Sequence, residues 1–124
     1  MVSTVSEALL VLQRWKTSLT DVYVSFVSSA ADPSVRSHVI FSRLTGKVVL
    51  VDEETLNFIV LAANGSVFTA GVKDSQVDFG TYLDLTHHPL AELVGPPNKV
   101  EELLVIGHPS KAIILLFTLA AAAN

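Results

Sequence analysis

The chain has 124 residues, no cysteine, and a formal net charge of −4 from 8 Lys plus Arg against 12 Asp plus Glu. That length suits one domain with a core of its own, and the missing cysteines exclude disulfides and thiolate metal sites. The basic residues are scattered, whereas a nucleic-acid ligand calls for a clustered positive footprint, so nucleic acid is not an expected partner.

Residues 4–16 read as a helix. Thr4 and Glu7 have capping-box spacing, in which each side chain reaches a free backbone N–H at the helix start. Val5, Ala8, Leu9, Leu12, Trp15 and Leu19 then share one stripe at helical period, while Glu7, Gln13, Arg14 and Thr17 lie elsewhere. The polar face is too poor in Lys and Arg for a membrane surface, so the helix is expected to pack on a sheet.

From Asp21 the period changes to two, and 21–85 reads as a β meander. Val22, Val24 and Phe26 alternate with Tyr23 and Ser25; residues 30–34 form a break; 35–44 resumes as a strand. Thr45-Gly46-Lys47 reads as a tight connection into a strand at 48–51, Asp52-Glu53-Glu54 as the next turn, and 56–62 as the strand beyond it. Asn64-Gly65 signals a hairpin, because both residues tolerate positive φ at the two central turn positions, and 67–72 follows.

Residues 77–85 read as another strand, 86–94 as a short helical turn, and Gly95-Pro96-Pro97 as a break. Residues 101–118 read as a C-terminal hairpin turning at 107–111, although Asn98 and Glu101 also have capping-box spacing and leave a helix over 99–106 open. Val105, Ile106, Ile113 and Ile114 favour the strand. The expected fold is mostly β (α+β): one domain over 1–124, an N-terminal helix and an antiparallel meander forming a small barrel or a rolled sheet.

Hydrophobic residues make up 50% of the chain and charged ones only 16%, against a usual charged share of about 25%. Three segments, 48–51, 59–62 and 113–117, carry apolar residues on both faces, whereas a solvated antiparallel sheet alternates. A homo-oligomer is therefore expected, with the N-terminal helix covering part of the extra apolar face and a second copy the rest. The segment after Met1 lacks a basic n-region and its apolar run at 8–12 is too short for a signal peptide. The apolar run within 112–123 falls short of the roughly twenty residues of a membrane span. The expected location is cytoplasmic, without membrane contact.

Gly46-Lys47-Val48-Val49-Leu50-Val51-Asp52 leading into Leu56-Asn57-Phe58 resembles the first motif of Sm-like domains, in which a Gly opens a bent strand, an Asp closes it and a hydrophobic–Asn pair begins the next. Over about forty residues of the chain, the resemblance implies a small five-stranded SH3-like or Sm-like barrel, and, with less support, ring assembly and RNA binding through loop residues. Asp52 and Asn57 stand one residue further apart than the pattern, and Thr69-Ala70-Gly71 lacks the arginine of the second motif.

Candidate chemistry is sparse. Arg36, Arg43 and Lys47 are candidates to bind an anion or an acidic partner segment, with Lys73 adding charge, and with Asn57 they form the ligand-binding set of the Sm-like alternative. Asp84, His87, His88 and Glu92 form the one dense group of metal-capable side chains, the basis of a metal-dependent hydrolase alternative. Asp74, Asp78 and Asp84 read as solubilising carboxylates at strand ends, and His38 and His108 as solvent or turn residues. No serine sits in a Gly-x-Ser-x-Gly elbow. Asn64-Gly65-Ser66 matches a glycosylation acceptor that matters only to a secreted chain. No catalytic residue and no cofactor is expected. The leading expectation is a non-enzymatic interaction or scaffold module that self-associates, with a protein partner possible.

Overall fold

A computed structural model of the chain describes residues 2–29, 38–81, 100–107 and 112–119. Thr4 opens the helix as its spacing predicts: its Oγ1 accepts from the Glu7 N–H at 3.1 Å, and α1 runs Val5–Thr17. Ala8, Leu9, Val11, Leu12 and Trp15 are its buried residues. Leu19 belongs to the exit rather than the stripe. Its N–H donates to the Lys16 carbonyl and that of Thr20 to the Trp15 carbonyl, with Leu19 itself at φ 54°. This pair of bonds is the Schellman arrangement, whose left-handed position suits glycine. A Cβ there costs about 1–2 kcal/mol, and Leu19 is 67% exposed, so little burial offsets it. Leu19→Gly is expected to raise stability by about 1 kcal/mol in thermal or urea unfolding; an unchanged or lower midpoint contradicts this.

The strands are β1 (Val2–Ser3), β2 (Asp21–Ser29), β3 (His38–Asp52), β4 (Asn57–Ala62), β5 (Val67–Gly71), β6 (Gln76–Thr81), β7 (Val100–Gly107) and β8 (Ala112–Leu119). They form one sheet ordered β1-β6-β7-β8-β2-β3-β4-β5, antiparallel throughout. Two meanders, β2–β5 and β6–β8, are thus joined where β8 pairs β2. Among the described residues the ladder ends at β1 and β5, which do not pair, so the sheet is open and not a closed barrel.

Helix α1 packs against both β3 and β6, strands that would stand about 19 Å apart in a flat sheet. The 13-residue helix, about 20 Å long, spans that distance. The enclosed core joins Leu12 and Trp15 to Val22, Val24, Val48, Phe58, Val60, Val77, Leu104, Ile106, Ile114 and Leu116. These strand residues share one face of the sheet by register.

Two local readings change, and one open alternative is settled. Thr45-Gly46-Lys47 is no connection: β3 runs unbroken through it, with Gly46 paired to Val22 on one side and Ala62 on the other. A Cβ on Gly46 would stand 2.2 Å from the Leu61 carbonyl oxygen, so the glycine serves a close approach of two strands. The Asn64-Gly65 hairpin closes with the Ala62 N–H on the Ser66 carbonyl, which leaves a three-residue loop in which only Gly65, at φ 89°, is left-handed. Residues 100–107 are strand, as Val105 and Ile106 favour, and the helical alternative falls. The expected helical turn at 86–94 and the breaks at 30–34 and 95–97 lie outside the described residues.

Candidate functional site

The apolar residues on both faces of β3 have a local cause. Val48 pairs with Val60 and Leu50 with Ile59, so Val49 is an extra residue, a β-bulge. The bulge turns Val48 and Val51 toward the core and leaves both Val49 and Leu50 on the outer face, 44% and 43% exposed. On β4 the alternation is regular, with Phe58, Val60 and Ala62 inside and Ile59 and Leu61 outside. Val67 of β5 stands opposite Leu61 and is 61% exposed. Four of the seven exposed large apolar side chains among the described residues, Val49, Leu50, Leu61 and Val67, therefore gather on the outer face of β3–β4–β5, with half-buried Ile59 between them. Scattered singly they would need no explanation; gathered, they mark a contact surface.

The third doubly apolar segment behaves differently, and the expectation that a second copy covers it is corrected. Ile114 and Leu116 of β8 face the core, while Leu115 lies on the outer face with Leu103 and Val105 of β7. Leu115 and Leu103 are nonetheless 0% exposed in the single chain. Tyr23 and Phe117 stack beside them, ring centres 5.3 Å apart. That end of the outer face is covered within the chain; the β3–β5 end is not.

Of the expected anion set, Lys47 and Asn57 lie on the same outer face, in different rows: Lys47 opposite Leu61, and Asn57 opposite Asp52 and Gly71. The Lys47 ammonium is ion-paired to Asp21, directly across in β2. Arg43 stands opposite Ser25 in the same ladder, and Arg36 lies outside the described residues. So do all four residues of the metal-capable group, Asp84, His87, His88 and Glu92. Among the described residues no three metal-capable side chains come together.

Asp52 closes β3 by accepting the Glu54 N–H at 2.9 Å and the Thr55 N–H at 3.2 Å on Oδ1. The Thr55 N–H, then that of Glu54 and the Thr55 hydroxyl, hold this exposed carboxyl below the usual aspartate range. A folded-state pKa below the unfolded one gives stability that is present above the unfolded value and lost as pH falls through the folded one. Wild type is therefore expected to lose more thermal stability than Asp52→Asn on acidification from about pH 5 to about pH 2; parallel slopes would contradict this.

A cluster that sequence reading missed joins α1 to β7. Arg14 Nη1 and Nη2 donate to Glu102 Oε1 and Oε2 at 3.0 and 2.6 Å, and Trp15 Nε1 donates to Oε1 at 3.2 Å. The hydrogen bond to Glu102 raises the Arg14 pKa above its ordinary value, against the opposing pull of burial. The Arg14 guanidinium also stands 6.0 Å from the Phe79 ring centre, and Trp15 meets that ring edge-on at 6.3 Å. Thr118, opposite Glu102, is buried and its Oγ1 has no partner. The two-pronged clamp fixes the helix on the sheet. Its signal was parity: Glu102, Leu104 and Ile106 share the inward face of β7.

No protein-family model, curated protein or solved structure significantly matches this chain. Among the described residues no helix is long and apolar enough to cross a membrane.

Proposed function

We propose that this chain is a non-enzymatic interaction module that self-associates, with the β3–β5 end of the sheet as its contact region. The supporting observation is the patch of Val49, Leu50, Ile59, Leu61 and Val67, left open where the outer face of β7–β8 is covered. The low charged fraction of the chain agrees with a surface that works in contact with protein. The lack of cysteine agrees with a reducing, cytoplasmic setting. Val67→Asp tests the reading, because residue 67 is exposed and the fold tolerates the change. Sedimentation equilibrium is expected to show reversible association of wild type and at least tenfold weaker association of the variant. A monomeric wild type, or a variant of unchanged affinity, removes the proposal.

A further inference from the structure

The two ends of the sheet differ. At one, β6 is partly covered by the two-residue β1, paired at Val77 and Asp78. At the other, β5 has no strand beyond it among the described residues. The Ala62 N–H donates to the Ser66 carbonyl and the Val72 N–H to the Leu56 carbonyl. By the alternation of an antiparallel ladder, Phe68 and Ala70 also bond to β4, while Val67, Thr69 and Gly71 turn N–H and C=O away from it. Natural edges are blunted by charge, proline, a bulge or a cover. Val67-Phe68-Thr69-Ala70-Gly71 contains neither charge nor proline, and its register with β4 has no bulge.

The sequence of this edge indicates its occupant. Its side chains run large, large, medium, small, small, so an antiparallel copy about a two-fold axis at Thr69 sets large against small throughout. Val67 meets Gly71 and Phe68 meets Ala70, twice each, with Thr69 opposite itself. This register engages all three outward-facing residues of each strand. Thr–Thr is a favourable cross-strand pair, and no charge faces another within the strand. Gly71 carries no side chain, and the Asn57 amide already leans over the space a Cβ would take. We infer that the β5 edge takes the β5 strand of a second copy, antiparallel and centred on Thr69, joining two sheets into one. This rests on the self-association proposed above and places its contact at the β5 edge, which sets the outer apolar patches of the two copies side by side rather than covering them.

The chain has no cysteine, so a single one reports cleanly. Thr69→Cys puts two thiols across the axis at a Cα separation of about 5.5 Å, within disulfide reach. Mild oxidation is expected to cross-link it at least tenfold faster than Ser6→Cys, which sits on the exposed side of α1. Thr69→Lys, which sets two ammonium groups face to face, is expected to weaken association at least tenfold while its circular dichroism, and its melting in dilute monomeric protein, stay those of wild type. In concentrated wild type, amide exchange at Val67, Thr69 and Gly71 is expected to slow at least tenfold relative to dilute protein. If wild type associates but Thr69→Cys cross-links no faster than Ser6→Cys, or Thr69→Lys associates normally, the edge pairing is overturned and self-association stands. If wild type is monomeric throughout, both fall.

Discussion

Gly46→Ala is expected to destabilise the fold by about 3 kcal/mol, an effect that depends on one added carbon. The added methyl would lie 2.2 Å from the Leu61 oxygen, 2.7 Å from its carbonyl carbon and 2.8 Å from the Ala62 Cα. All three are backbone atoms, so no rotamer change relieves the clash. The β3–β4 ladder must part, next to the bulge that builds the outer apolar patch. Gly107→Ala is the control, since the nearest atom there is 3.7 Å from the added carbon, an ordinary contact. Urea unfolding of the two variants should separate them by more than about 2 kcal/mol; equal midpoints would mean that Gly46 does not hold the strands close.

Trp15→Ala is expected to lower stability by about 3–5 kcal/mol, a large share of the roughly 5–15 kcal/mol of a domain this size. Trp15 is 1% exposed, the largest of the fully buried side chains. Its loss leaves a cavity between α1 and the sheet, removes the edge contact with Phe79 and takes one donor from Glu102. Trp15→Phe fills most of the volume without the N–H and should lose only about 1–2 kcal/mol. Thermal unfolding that ranks the two variants together would contradict the role given to the buried volume, since both lose the Glu102 bond.

Elements set by near neighbours were legible. The Thr4 cap, the alternation of Val22, Val24 and Phe26, and the Asn64-Gly65 reversal depend on a few adjacent residues and came out at or near their expected places. What failed depended on distant ones. Glycine serves turns and close approaches alike, and only Leu61 of the next strand shows which one Gly46 serves. The bulge at Val49 has no sequence signature, yet it explains why four apolar residues in a row divide between two faces. Nothing local announces that β8 inserts between β7 and β2. Of the candidate binding residues, position alone put Lys47 and Asn57 on one face; the Asp21 partner of Lys47 comes from strand register.

The central claim is that the β3–β5 end is where a second copy docks. Its most direct measurement is the solution mass of the unmodified chain by light scattering at two protein concentrations. The account predicts a mass at or approaching twice the 13.3 kDa of one chain, rising with concentration. A mass of 13.3 kDa at both would contradict it and leave the β5 edge without a second strand to pair with.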